Sequence, residues 1–165
     1  MGRLFTKRGY DAITAEINRL WNEERPMVLQ EVHDAALQGD RSENAAYIYG
    51  KQRMRLIDKR LRKLRHKIED VTVVDTDALP PSDVVQFGAL VTIESENGDI
   101  LRLRLVDREE SDPDKMLVSV QSPMGRALMG ASVEDDVYID LPKGTISYEI
   151  LTVYYGPDPE TEDEQ

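Results

Sequence analysis

One apolar repeat near the middle of the chain permits few folds. Its members are separated by alternating steps of three and four residues, and they are Met54, Ile57, Leu61, Leu64, Ile68 and Val71. This spacing is typical of a helix whose apolar seam packs against another helix. A less regular stripe earlier in the chain supplies the partner, and it comprises Ile13, Ile17, Leu20, Met27 or Val28, Val32 and Ala35. The two stripes predict a pair of packed helices.

Residues 37–44 form the connection between the two predicted helices. Gly39 is a residue that often ends a helix, and Asp40 or Ser42 is one that often begins the next. A connection this short makes the helices antiparallel neighbours. Each arm would have roughly 30 residues and extend about 45 Å. Pro26 lies inside the first arm, so we expect a bent first helix that continues past it.

The second half of the chain changes to the alternation typical of strands. Asn97-Gly98 marks a tight hairpin turn, and Ser122-Pro123 opens a short helix to residue 129. Strands are predicted at 84–95, 100–108, 116–121, 137–141 and 146–154. The fold class is therefore α+β, with a helical coiled-coil hairpin at 1–76, a linker at 77–83, an antiparallel β domain at 84–155 and an acidic, disordered tail at 156–165.

Charge divides the chain in the same way. The formal charge is +3 over residues 1–75 and −14 over residues 76–165. The acidic half would repel free nucleic acid, which disfavours a simple DNA-binding protein. The chain has no cysteine, so it can form neither a disulfide nor a thiolate metal site. The sequence shows neither a signal-peptide pattern nor an apolar run of membrane-spanning length, so we expect a cytoplasmic protein without a membrane partner.

Two carboxylates, Asp40 and Glu43, lie three residues apart in the connection. Such a pair at a helix start is typical of a capping box, and spacing alone favours that role. Alternatively, two adjacent hard oxygen ligands suit Mg²⁺, which takes one or two carboxylates and keeps several waters. Because two ligands hold the ion weakly, another macromolecule would have to share it.

The second helix carries nine basic residues between positions 51 and 67, opposed only by Asp58. A run of charge is often just the solvated face of a coiled coil. Here the run has a single sign within an acidic protein, which favours contact with a phosphate backbone without base readout. The residues predicted to contact it are Lys51, Arg53, Arg55, Lys59, Arg60, Arg62 and Lys63.

Several strings, in order along nearly the whole chain, resemble the Gre family of transcript cleavage factors. The tip string starting at Gly39 reads GDRSENA, and the first helix contains WNEERP from Trp21. Phe87-Gly88-Ala89 and the string SPMGRAL from Ser122 resemble stretches of the family's C-terminal domain. Arg41-Ser42 and the long basic helix resemble the GreB branch more than the GreA branch.

The resemblance implies a fold and a mechanism. The fold is an N-terminal antiparallel coiled coil followed by an FKBP-like domain of antiparallel strands around a short helix. The hairpin would enter the secondary channel of RNA polymerase and stimulate the polymerase's own Mg²⁺-dependent cleavage of backtracked nascent RNA. The chain would thus be a cofactor, not an enzyme, and we expect a monomer.

The resemblance also assigns roles to residues. Asp40 and Glu43 would hold the second Mg²⁺ of the polymerase site, and the Ser42 hydroxyl would help to orient water or substrate. The basic residues would guide the extruded RNA 3′ end, while Ser122 and Pro123 would lie on the polymerase-docking surface. Two other interpretations remain open. One is a regulator that blocks the channel without cleavage, and the other, disfavoured by the incomplete ligand set, is a free nuclease.

Overall fold

A computed structural model describes residues 2–39 and 44–159. The chain forms two compact units. One is the helical unit Tyr10–Asp70, and the other joins the residues up to Gly9 with those from Val71 onward. The predicted α+β fold class, a helical hairpin followed by a β domain with a short helix, is confirmed.

The helical hairpin has one arm on each side of residues 37–44. The first arm consists of α1 (Lys7–Arg19), a π-helical turn (Leu20–Glu24) and α2 (Arg25–Ala36), and the second arm is α3 (Ala45–Lys67). At 23 residues, α3 extends about 35 Å, which is shorter than the predicted arm. Among the described residues, each helix is either too short or too polar to span a bilayer.

The first arm continues through Pro26, as predicted. Pro26 has no N–H to donate, so the regular hydrogen-bond pattern cannot pass through it. The π-helical turn lies just before it, and there the Arg25 N–H bonds to the Leu20 carbonyl, five residues back. Arg19 and Arg25, which flank the turn, both keep right-handed helical backbone angles. The proline therefore changes the local hydrogen bonding without ending the arm.

The predicted apolar seam forms the core of the hairpin. Its buried members are Leu20, Val28, Val32, Ile57, Leu61 and Leu64. Of the two alternatives in the first stripe, Val28 is fully buried, whereas Met27 is 52% exposed. The seam was predicted to reach Val71, which was wrong because the helix ends before that residue. Ile68 caps α3, and Val71 begins a strand instead.

The arms approach closely at Gly50, which is buried in α3. A Cβ built there would lie 2.6 Å from Cγ2 of Val32 on α2. Glycine normally weakens a helix interior by up to about 1 kcal/mol relative to alanine. Here the missing side chain leaves room for Val32 in the seam, so packing explains the glycine.

The second unit contains a five-stranded sheet and a short helix, α4 (Pro123–Leu128). The strands are β3 (Leu90–Ser95), β4 (Ile100–Val106), β5 (Leu117–Ser119), β6 (Asp136–Leu141) and β7 (Gly144–Tyr154). Their order in the sheet is β5-β4-β3-β7-β6. Three of the four strand pairs are antiparallel, but β4 and β5 run parallel, which corrects the prediction of a wholly antiparallel sheet.

The strand predictions were accurate in position but too long at some ends. The Asn97-Gly98 turn joins β3 to β4 as predicted, and Gly98 has a φ of +84°. The first strand, predicted from Val84, begins only at Leu90 because Gly88 turns the chain with a φ of +86°. Leu128 of α4 is fully buried against the apolar sheet face, so helix and sheet share one core.

A second, two-stranded sheet was not predicted. Strand β1 (Arg3–Thr6) pairs in parallel with β2 (Val71–Val74). The backbone N–H of Thr6 donates to a Glu110 carboxylate oxygen at 3.1 Å, and the Thr6 hydroxyl donates to the other oxygen. Glu110 also fills the space that a side chain at Gly9 would need. Residues before and after the helical hairpin thereby become part of one unit.

Glu110 gives this attachment a pH dependence. Burial raises the pKa of Glu110 above its usual 4.5, although hydrogen bonds from Thr6 oppose the shift. The nearby Asp107 carboxylate also raises this pKa. Between 4.5 and the raised value the folded chain binds more protons than the unfolded chain, so the free energy of unfolding falls as pH rises through that window.

We therefore expect Glu110→Gln to flatten the pH dependence of stability above pH 4.5 relative to the natural chain. Thermal unfolding of both proteins at successive pH values measures the difference. Asp158 provides a separate window, because hydrogen bonding from Arg104 lowers its pKa below the usual 3.8. The contribution of Asp158 to the free energy of unfolding is lost only as pH falls below 3.8. Parallel curves above pH 4.5 would contradict the role of Glu110.

The segment predicted to be a disordered tail begins with residues that make defined contacts. Arg104 is 7% exposed, and its guanidinium donates to the Gly156 carbonyl at 3.2 Å and to Asp158 at 2.5 Å. Arg8 contacts Asp158 from a second direction at 3.2 Å. The chain is therefore ordered through Asp158, while residues 160–165 lie outside the described part.

Candidate functional site

The predicted carboxylates lie in the connection at the end of the hairpin. Asp40, Ser42 and Glu43 fall in residues 40–43, outside the described part of the chain. Both ends of the connection are described. On one side α2 ends at Ala36, and on the other α3 begins at Ala45. We call residues 37–43 the tip loop.

The second helix is capped by Asn44. Its side-chain Oδ1 accepts a hydrogen bond from the backbone N–H of Tyr47 at 3.1 Å, which is the usual N-cap contact. The prediction that Asp40 or Ser42 begins this helix was therefore wrong. Asn44 was not predicted as a cap, although asparagine is among the most favoured N-cap residues. A capping box for α3 needs its first residue at the N-cap, and Asp40 does not have that position.

The seven predicted contact residues of α3 divide into two groups in the fold. One group lies opposite the buried seam, since positions 51, 55, 59, 62 and 63 fall within one sector of a helix with 3.6 residues per turn. All five side chains are exposed. We call this group, Lys51, Arg55, Lys59, Arg62 and Lys63, the outward strip.

The outward strip carries cations that are available to a ligand. Lys51 lies over the Tyr47 ring at 5.7 Å. Within residues 2–39 and 44–159, the side chains of the other four make no hydrogen bond, ion pair or ring contact. The strip rises about 18 Å along the helix from its first to its last residue. It therefore presents a linear array of positive charge to solvent.

The remaining two predicted contact residues flank the seam and bind the opposite arm. Arg53 pairs with Glu31 at 2.9 Å. Arg60 binds both carboxylate oxygens of Glu16, at 2.9 and 3.2 Å. These guanidinium groups link α3 to the first arm, whereas the side chains of the outward strip are exposed to solvent.

Trp21 and its cations link the two arms on the other side of the seam. The Arg25 guanidinium lies 5.0 Å from the centroid of the Trp21 ring, and the Arg65 guanidinium lies 5.4 Å from it. Arg25 also pairs with Asp58 at 3.0 Å. Asp58, the only acidic residue in the basic run, thus neutralises a cation of the first arm.

Ser122 and Pro123, the predicted docking residues, begin α4. The Ser122 hydroxyl donates to the Ser119 carbonyl at 2.6 Å and accepts from the Gly125 N–H at 3.0 Å. Pro123 follows it at the first helical position and is exposed. The Ser122 side chain therefore caps α4 within the unit, and Pro123 is the more exposed residue of the two.

The described residues contain no group of three or more histidine or acidic side chains placed to hold a metal ion. The predicted Mg²⁺ ligands, Asp40 and Glu43, lie outside those residues. Their chemistry fits the ion, since both are hard carboxylate donors. Two donors are too few for tight binding, so this set fits an ion that is shared with another molecule.

Both parts of the chain match one protein family. Residues 3–73 match the family described as "Transcription elongation factor, N-terminal". Residues 80–155 match the one described as "Transcription elongation factor, GreA/GreB, C-term". Over 152 residues the chain is 45% identical to the transcription elongation factor GreB of Yersinia pestis, covering 92% of this chain and 88% of that protein. The chain belongs to the GreA/GreB family.

Further similar proteins carry the same family name. The GreB of Pasteurella multocida is 43% identical over 91% of this chain and 94% of its own length. Among solved structures, GreA factor homolog 1 of Thermus thermophilus is 22% identical, with a TM-score of 0.41, and covers 93% of this chain and 99% of that one. The predicted membership in the Gre family is thus confirmed, and this chain is a transcription elongation factor.

Proposed function

We propose that this protein acts on RNA polymerase by bringing two carboxylates to the polymerase's active site, where they stimulate cleavage of backtracked nascent RNA. Family membership supports polymerase as the partner. The observation that carries the proposal is the assignment of the α3 cap to Asn44, which leaves Asp40 and Glu43 without the capping role that spacing alone favoured. Asp40 and Glu43 would then serve a ligand rather than the cap of α3.

The proposed chemistry needs a second metal ion at the polymerase site. Asp40 and Glu43 would hold Mg²⁺ together with ligands of the polymerase, and Ser42 would help to orient the water or substrate. When bound, such an ion stabilises the attacking and leaving oxygens of an in-line displacement. The protein's own contribution is to place its ligands there. The nuclease activity belongs to the polymerase, and this chain is its cofactor.

The outward strip supports a second part of the proposal, in which α3 guides the extruded RNA. Single-stranded RNA carries a negative charge at every phosphate, and the strip offers a row of exposed cations to that backbone. Arg53 and Arg60, which pair with the first arm, would contribute mainly to the stability of the hairpin. The sequence prediction of seven RNA contacts is thereby narrowed to the five residues of the outward strip.

The second unit would dock on the polymerase while the hairpin enters its secondary channel. Its strongly acidic sequence favours a basic docking surface on the partner. Pro123 and the exposed side of α4 remain the proposed contact, whereas the Ser122 hydroxyl serves as a cap. The protein would act as a monomer in the cytoplasm.

The test is a transcription assay on a stalled elongation complex with a backtracked, end-labelled RNA. The complex is incubated with Mg²⁺, with and without this protein, and the RNA length is followed in time. We expect rapid shortening of the transcript and renewed extension after nucleotides are added. Inhibition of transcription without shortening would refute the proposal and favour a channel-blocking regulator. Cleavage of the same RNA without polymerase would indicate a free nuclease instead.

A further inference from the structure

We propose that a groove between α2 and α3 takes one unpaired base of the extruded RNA while the outward strip holds the phosphates of the same strand. This site rests on the proposed function, because that function brings the RNA to the hairpin. The groove belongs wholly to the helical unit and is lined by described residues. Of its residues, only Lys51 was predicted to contact RNA.

The groove has a volume of about 570 Å³ and opens to solvent. Leu29 and His33, one turn apart on α2, line one side, and Tyr47 and Lys51, one turn apart on α3, line the other. The buried side chain of Val32 lies between the arms as the floor. Ligand pockets in proteins are typically about 300–1,000 Å³, so the groove has room for a nucleobase.

The walls of the groove carry apolar and aromatic surface. Leu29 is 51% exposed although it is a large apolar side chain. The Tyr47 ring is half-buried and packs against the seam, so contacts with the core hold it in place. His33 adds a second, exposed ring. Unpaired RNA bases stack on the rings of tyrosine and histidine, so these surfaces suit a flat heteroaromatic ligand.

The rim of the groove carries polar groups that suit the edges of a base. Nε2 of Gln30 donates to Oδ1 of Asp34 at 2.9 Å. Within the described part of the chain, this leaves the second N–H and the oxygen of the Gln30 amide for a ligand. An amide and an imidazole can each donate or accept, so they can pair with any of the four bases. We therefore expect binding without sequence preference.

Lys51 joins the groove to the outward strip. Its side chain lines the groove, and its ammonium group lies over the Tyr47 ring at 5.7 Å. A strand whose phosphates follow the strip therefore passes the open side of the groove. None of the residues that line the groove is acidic, so its charge is also complementary to RNA. The two rings and the amide favour a base over an aliphatic side chain of a protein partner.

The first test compares Leu29→Glu with the matched variant Met27→Glu. The two natural residues are 51% and 52% exposed, and two positions rotate a helix by about 200°, so they lie on different sides of α2. Of the two, only Leu29 lines the groove. On complexes with a long extruded 3′ end, we expect Leu29→Glu to raise the protein concentration for half-maximal cleavage about fivefold or more, as loss of one stacked base would. Met27→Glu should change it less than twofold.

Substitutions of Tyr47 separate the aromatic surface from the added charge. Tyr47→Leu removes the ring but keeps an apolar side chain against the seam, whereas Tyr47→Phe keeps the ring. We expect Tyr47→Leu to raise the half-maximal concentration about fivefold or more and Tyr47→Phe to stay within twofold of the natural chain. Helical circular dichroism should be the same for all variants. Equal effects of Tyr47→Leu and Tyr47→Phe would contradict stacking on this ring.

Photocrosslinking measures the position of the base directly. A 4-thiouridine is placed in the extruded RNA of a backtracked complex and is crosslinked before Mg²⁺ is added, so the readout needs no cleavage. We expect adducts within residues 26–36 and 47–51. Adducts elsewhere, or equal losses with Leu29→Glu and Met27→Glu, would overturn the assignment. Equally weakened binding of Leu29→Glu to complexes without extruded RNA would overturn it in favour of a protein partner. Adducts in the groove without cleavage by the natural chain would refute the proposed function and leave the groove assignment standing.

Discussion

The double variant Asp40→Asn with Glu43→Gln should abolish stimulated cleavage while the protein still binds polymerase. Both substitutions keep the size of the side chain and remove the charge that holds a metal ion. Loss of even an outer partner of a metal ligand costs 10–100-fold, so we expect the loss of both direct ligands to cost at least about 100-fold. The rate of shortening of a stalled, end-labelled transcript measures it.

The control for this variant is the integrity of the hairpin and of polymerase binding. Asn44 caps α3, so the helix does not depend on either substituted side chain for its cap. Competition with the natural chain for the elongation complex should reveal a similar affinity, and the variant should act as an inhibitor of the natural protein. Cleavage within a few-fold of the natural rate would contradict the proposed role of Asp40 and Glu43.

Removing two charges from the outward strip should lower stimulated cleavage of RNA that has a long extruded 3′ end. In Arg55→Gln with Arg62→Gln, two exposed cations without a partner among the described residues are neutralised. Charged hydrogen bonds contribute about 1.5–3 kcal/mol each, so we expect the rate of stimulated cleavage on deeply backtracked complexes to fall by about tenfold or more. Complexes backtracked by only a few nucleotides should be affected much less, and a series of stalled complexes of increasing extrusion measures the difference.

A matched control removes the same number of charges from the flanks of the same helix. Arg53→Gln with Arg60→Gln breaks the pairs with Glu31 and Glu16. Such surface pairs contribute up to about 1 kcal/mol each, so the melting temperature of the hairpin should fall slightly. The dependence on extrusion length should stay as in the natural chain. Equal losses for both double variants, or equal losses at every length, would contradict RNA guidance by the outward strip.

Salt dependence gives this comparison a second measurement. For single strands the slope of log affinity against log salt concentration is about 0.7 per neutralised phosphate. If Arg55 and Arg62 each neutralise one phosphate, their loss should reduce the slope by about 1.4 for the long extrusion. The flank variant should leave that slope unchanged, because its cations neutralise carboxylates of the first arm.

The sequence was sufficient to predict the elements that rest on a strong local pattern. The seam through Ile57, Leu61 and Leu64 was recognisable because its spacing is that of a packed helix, and these side chains are buried. The Asn97-Gly98 turn was equally clear, because few residues accept its backbone angles. Helix ends were less predictable. Val71 continues the heptad spacing but pairs with Arg3 in a strand, so a long-range partner determined its conformation.

The candidate site likewise depends partly on local sequence and partly on tertiary contacts. The composition of the tip and of the basic run, together with the family strings, determined what chemistry this protein can carry. Only the tertiary structure decided which residues are available for it. Arg53 and Arg55 are nearly identical in sequence context, yet one pairs with Glu31 and the other faces solvent, because two positions rotate a helix by about 200°. The Asn44 side chain likewise donates to the carbonyl of Ala35, nine residues earlier, and this contact exists only after the arms have packed.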